Sequence, residues 1–79
     1  MTTSLSPQLS LDPNYVQISR KEAAKVLGRS IADFDRLRKA DPDFPQAYPT
    51  GPLRNSPIRF RLADIYSYSE QLMQRSAEQ

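Results

Sequence analysis

A mainly α-helical fold with one small β-hairpin is the class that the sequence predicts, on three observations. Two short amphipathic segments meet at Gly28, a basic segment alternates with period two through Ile58, Phe60 and Leu62, and a further amphipathic segment follows it. The chain has 79 residues, room for a single core, and its 38% hydrophobic and 25% charged residues suit a folded domain.

Residues 1–14 are rich in Ser, Thr and Pro, with Leu5, Leu9 and Leu11 their only sizeable apolar side chains apart from Met1. They predict a flexible arm ahead of a domain over 15–75, with 76–79 frayed. After the short apolar run Tyr15, Val16, Gln17 and Ile18, the spacing Ser19-Arg20-Lys21-Glu22 is that of a capping box and predicts a helix start. Ala23, Ala24, Val26 and Leu27 are its expected inward face, and Gly28 supplies a left-handed end. Ser30 caps a second helix with Asp33 at the third position, and Asp41-Pro42 stops it, because the residue before proline disfavours helical dihedrals.

On this second helix Phe34 and Leu37 share one face. Ala32, Asp35, Arg36 and Lys39 project from the other, free to meet a partner. Residues 48–57 hold three prolines, Pro49, Pro52 and Pro57, and Gly51 and predict a loop. In residues 58–62 the apolar side chains alternate with Arg59 and Arg61, a strand with one buried and one solvated face, and Gln46 to Tyr48 offers a partner strand. The resulting hairpin has a long, proline-stiffened tip carrying Arg54. A third helix begins near Ala63, with Asp64 in its first turn and Ile65, Tyr68, Leu72 and Met73 on its inward side. Tyr15, Phe34, Leu37, Phe44 and Phe60 are expected core residues, since so short a chain needs nearly all its large side chains.

Composition narrows the function. With no cysteine and no histidine, disulfides, thiolate nucleophiles, imidazole bases and the common zinc sites are excluded. Asp33 with Asp35, or Asp41 with Asp43, read as cap, turn or solvated charges rather than catalytic pairs, so no enzyme activity, cofactor, metal or small-molecule substrate is expected. No apolar run approaches the roughly 18 residues that span a membrane, and the first ten residues lack a signal-peptide pattern, so a cytoplasmic location is expected. Net charge is +2, but within residues 20–61 ten Lys and Arg stand against five acids, and the flanks are acidic. A basic central segment suits phosphate.

Helix, tight turn and second helix form the helix-turn-helix spacing, in which the second helix enters the major groove. The loop and basic strand behind it complete a winged helix-turn-helix of three helices plus wing. Candidate DNA contacts are Arg20 and Lys21 at the first helix start, Arg29 and Ser30 in the turn, Ala32, Asp35, Arg36 and Lys39 on the second helix, and Arg54, Arg59 and Arg61 on the wing. The alternatives are that Arg36 and Lys39 are solvated partners of Asp33 and Asp35, and that Arg59 and Arg61 line an ordinary solvent face.

The stretch Tyr15-Val16-Gln17-Ile18-Ser19-Arg20-Lys21-Glu22-Ala23-Ala24-Lys25-Val26-Leu27-Gly28, followed by Arg29-Ser30, resembles the opening helix and turn of AlpA-like phage regulators and excisionases, relatives of the MerR DNA-binding domain. Phe44-Pro45 resembles the Phe-Pro that follows the recognition helix in that family, and Ile58-Arg59-Phe60-Arg61 its Arg-aromatic-Arg strand. The resemblance covers residues 15–72. It implies a double-stranded DNA partner, the second helix in the major groove, the wing on the backbone, and a role in transcription regulation or, as a recombination directionality factor, in DNA recombination beside an integrase or further copies of itself. The proline-rich wing and the acidic Asp33 and Asp35 depart from the family pattern. A protein-interaction adaptor on the same scaffold and a DNA-packaging domain like a terminase small subunit are the competing readings.

Overall fold

Ser19 and Glu22 open the first helix as their spacing predicts. In the computed structural model, which describes residues 12–77, Ser19 Oγ accepts from the Glu22 N–H at 3.1 Å while Glu22 Oε1 accepts from the Ser19 N–H at 2.8 Å. The box satisfies two donors that a helix start leaves unpaired. Helix α1 spans Arg20–Val26. At its end Gly28 takes φ +68°, its N–H donates to the Lys25 carbonyl at 3.0 Å, and the Arg29 N–H donates to the Ala24 carbonyl at 2.9 Å. This double closure turns the chain sharply at little steric cost, because glycine has no Cβ. Ser30 Oγ then accepts from the Asp33 N–H at 3.1 Å and begins α2, Ile31–Ala40, which stops at the extended Asp41.

The sheet has three strands, not the two of the expected hairpin. They are β1 (Gln17–Ser19), β2 (Ala47–Pro49) and β3 (Ile58–Arg61), antiparallel in the order β1-β3-β2. Ile18, Phe60 and Ala47 lie side by side across it and form its inner row. β3 thus has partners on both edges, which a purely local pairing with β2 leaves out. β2 begins one residue later than expected and ends in Pro49, tolerated because an edge strand need not donate on both sides.

Helix α3, Leu62–Ala77, follows β3 without a linker and runs past Arg75, where fraying was expected. Its first turn is completed by the N-terminal segment: the Leu62 N–H donates to the Val16 carbonyl at 2.9 Å and the Ala63 N–H to the Pro13 carbonyl at 3.1 Å. Pro13 therefore belongs to the folded part, inside the stretch expected to be an arm. Residues 1–11 of that arm and the last two residues lie outside the described residues. About half of the described residues are helical, and no helix among them is long and apolar enough to cross a membrane.

Aromatic rings fill the core. Phe34, Phe60 and Ile65 are fully buried with Ala23, and Phe44 and Ile18 pack against them. Phe34 meets Phe44 at 5.2 Å and Phe60 at 5.4 Å between ring centroids, both edge-on, and Phe44 meets Tyr68 at 4.9 Å. Such contacts add about 0.5–1.5 kcal/mol each beyond the burial itself. Three expected core residues are instead at the surface. Tyr15 is 85% exposed, because its turn, closed by the Tyr15 N–H on the Asp12 carbonyl, precedes the sheet and leaves the ring outside it. Val26 and Met73, 40% and 63% exposed, sit on the late turns of α1 and α3, beyond the aromatic cluster. Leu37 is half-buried.

Asp41 ties the end of α2 to α3. Its carboxylate accepts from the Tyr68 hydroxyl at 2.6 Å and from Arg75 at 2.7 Å, while Oδ1 accepts from the Asp43 N–H. The Arg75 guanidinium, then the Tyr68 hydroxyl, hold the Asp41 carboxyl down at about 2, and burial with the Asp41 contact pushes Tyr68 up to about 12. A carboxyl depressed on folding contributes stability above its unfolded value near 3.8 and loses it as pH falls through the folded one. Urea midpoints are therefore expected to drop between about pH 4 and pH 2. Asp41→Asn should flatten that drop, leaving the share due to Glu22, whose carboxyl is lowered by its bonds to Ser19. An unchanged pH profile in the variant would show that Asp41 does not carry it.

Candidate nucleic-acid interface

Helix α2 turns Phe34 into the core, and at ~100° per residue the ridge directly opposite is Ala32, Arg36 and Lys39, all exposed. Carboxylates flank the ridge on both sides, and each is engaged by an arginine. Asp33 pairs with Arg36, three residues on, and Asp35 pairs with Arg20 of α1 at 3.3 Å. Asp35, expected to project freely, is thus half-buried between α1 and α2. Its Oδ1 is buried without a hydrogen-bond partner among the described residues. Ser30 has its hydroxyl committed to the cap of α2.

The Arg20 pair brings the start of α1 beside the outer flank of α2. On its other side that start meets the wing: Arg20 and Lys21 line one groove with Ser56, Pro57 and Ile58. Arg59 lies opposite Ser19 in the sheet, and its charge helps to lower the Glu22 carboxyl behind the helix-capping hydrogen bonds. The start of α1 thus lies between Asp35 of α2 and the Ser56–Ile58 end of the wing loop. Arg29 and Arg36 border a second shallow groove with Asp33, Leu37 and Ala40, on the other flank of α2.

Alternation on β3 buries Phe60 and exposes Arg59 and Arg61 on the outer sheet face. The Arg61 guanidinium sits 5.9 Å from the centroid of the Tyr48 ring, and both line a groove with Asn14, Tyr15, Val16 and Gln17. Tyr48 was not among the expected site residues. Its signal was the cross-strand pairing of β2 with β3, which places Tyr48 opposite Arg59. The loop between these strands is braced from within. Both the N–H and the hydroxyl of Thr50 donate to the Pro57 carbonyl, at 2.9 and 2.8 Å, and the Ser56 N–H donates to the Leu53 carbonyl at 3.0 Å. Arg54 stands exposed in the turn so closed. At Gly51 a Cβ would come within 2.8 Å of Ser56 Oγ, so a larger residue there would displace the Ser56 hydroxyl from the Leu53 N–H that it accepts.

Among the described residues, Lys21, Arg29, Lys39, Arg54, Arg59 and Arg61 make no ion pair, whereas Arg20, Arg36 and Arg75 do. The described residues also bring no three carboxylates together as a metal site would require. No family model, curated protein or solved structure matches the chain.

Proposed function

We propose that the protein binds double-stranded DNA as a winged helix-turn-helix, with α2 in the major groove and the β2–β3 loop and β3 on the backbone. The observation that carries this reading is the set of exposed cations that make no ion pair among the described residues: Lys39 on the outer ridge of α2, Lys21 at the start of α1, and Arg59 and Arg61 together on the outer face of β3. Exposed arginine and lysine without a carboxylate partner are free to meet phosphate. The resemblance to AlpA-like regulators and excisionases supports a regulatory or recombination role among copies of the protein on DNA or beside an integrase.

Titration of a random-sequence duplex across a salt series tests the reading. Four to six neutralised phosphates give a log–log slope near −4 to −5, and binding that ignores salt would refute it. A second reading, a protein-interaction adaptor, is favoured by one feature: Leu27, Leu72 and the exposed Met73 share a groove between the end of α1 and α3 with Arg29, Ser69 and Ser76. It predicts a shallow salt dependence instead.

Within the DNA reading, Arg36 is the base reader, because it lies on the ridge opposite Phe34 and its guanidinium offers paired donors to the two acceptors of guanine. Arg36→Ala should lose about 1–3 kcal/mol on a duplex selected for tight binding and little on random duplex. Equal losses on the two would assign Arg36 to the backbone.

A further inference from the structure

An acidic residue on a helix that meets DNA repels the phosphates, so its presence there asks for a compensating role. Asp33 stands three residues before Arg36 and its Oδ1 bonds Arg36 Nη1, although the arginine side chain is 73% exposed and has the solvent open to it. A free arginine on an exposed helix samples many rotamers, and fixing it costs conformational entropy whenever it binds. The Asp33 contact uses Nη1 and leaves Nη2 and Nε for a second planar acceptor. The backbone of Asp33 is held in the first turn of α2, where its N–H donates to Ser30 Oγ. The cap at Ser30 thus sets the helical turn from which the Asp33 carboxylate reaches Arg36, three residues on.

We propose that Asp33 is a positioning residue for base recognition: it presents the Arg36 guanidinium edge-on to a guanine, so that base preference resides in the Asp33–Arg36 pair and not in the arginine alone. This inference rests on the DNA-binding reading. Asp35 serves no such purpose, since its partner Arg20 lies on α1 and its second oxygen is turned into the protein.

The two roles open to Asp33 move affinity and preference in different directions. Removing its charge relieves repulsion and raises affinity for random duplex by about two- to fivefold. Releasing Arg36 lowers the preference for guanine at the one position it reads by about fivefold or more. The experiment selects bound sequences from a duplex library with about twenty randomised base pairs, using the full chain and its Asp33→Asn, Asp33→Glu, Arg36→Ala and Asp33→Asn/Arg36→Ala variants, each checked for folding by circular dichroism.

The expected result is a guanine preference in the parent chain that Asp33→Asn and Arg36→Ala weaken at the same position, with no further loss in the double variant. Asp33→Glu, which still reaches Arg36 along the helix, restores it. Should Arg36→Ala erase the guanine and Asp33→Asn leave it intact, Asp33 only charges the helix start and the proposal is overturned, while the DNA-binding reading stands. Enrichment of no sequence and no salt-dependent binding by the parent chain would overturn both.

Discussion

Replacing Phe60 by alanine is expected to cost about 3–5 kcal/mol and to leave much of the chain unfolded in buffer. The ring is fully buried, meets Phe34 and Phe44 edge-on, and sits in the inner row of the middle strand between Ile18 and Ala47. Its loss opens a void bounded by all three strands and α2, and too little of the protein lies elsewhere to collapse into it. Urea unfolding followed by circular dichroism reads the change directly. Phe60→Leu, which refills much of the volume, should recover a large part of the stability. A midpoint unaltered by Phe60→Ala would mean that the aromatic cluster does not hold the sheet to the helices.

The second large effect concerns binding. Exchanging Arg54, Arg59 and Arg61 together for glutamine should weaken random and selected duplex by similar factors, roughly a hundredfold or more at moderate salt. The salt slope should become shallower by about 2–3 units while base preference survives. The three side chains are exposed and carry no carboxylate partner among the described residues, so the fold has little stake in them. Melting curves should accordingly differ little from those of the parent chain. Unchanged affinity and slope in the folded triple variant would make the basic strand an ordinary solvated surface.

How far the sequence revealed these features follows from the distance over which each interaction acts. The starts of α1 and α2, the turn at Gly28 and the stop at Asp41-Pro42 were all legible, because a cap is decided by residues within about four positions of one another. The alternation of Ile58, Arg59, Phe60 and Arg61 was equally local. β1 was not legible: Gln17, Ile18 and Ser19 are too few to show a period, and their partners are Arg61, Phe60 and Arg59 at the other end of the domain. The bonds from Tyr68 and Arg75 to Asp41 span 27 and 34 residues, and the Arg20–Asp35 contact spans 15. Nothing in the spacing of those residues announces them. Tyr15 shows the converse error, in which size alone argued for burial and the local turn decided otherwise.

The candidate site divides along the same line. That Ala32, Arg36 and Lys39 share a face is a property of helical periodicity, and that Arg59 and Arg61 share one is a property of the strand. Which of the acids are occupied, and by whom, depends on how α1 is laid against α2. The sequence offered Arg36 either as a group free to meet a partner or as a solvated partner of Asp33, and the structure pairs it with Asp33, whereas packing commits Asp35 to another helix.

Because β3 lies between β1 and β2, the strand that completes the sheet is the last of the three along the chain. A nascent chain leaving the ribosome exposes α1, α2 and the Phe34 ring before the residues that cover that ring have been made. Pairing β1 with β3 closes a loop of some forty residues, a slow step in chain entropy compared with forming either helix. Until Arg61 emerges the apolar face of α2 has no lid, and the interval between synthesis of Phe34 and synthesis of Phe60 is the period in which the young polypeptide is most open to proteases and to aggregation.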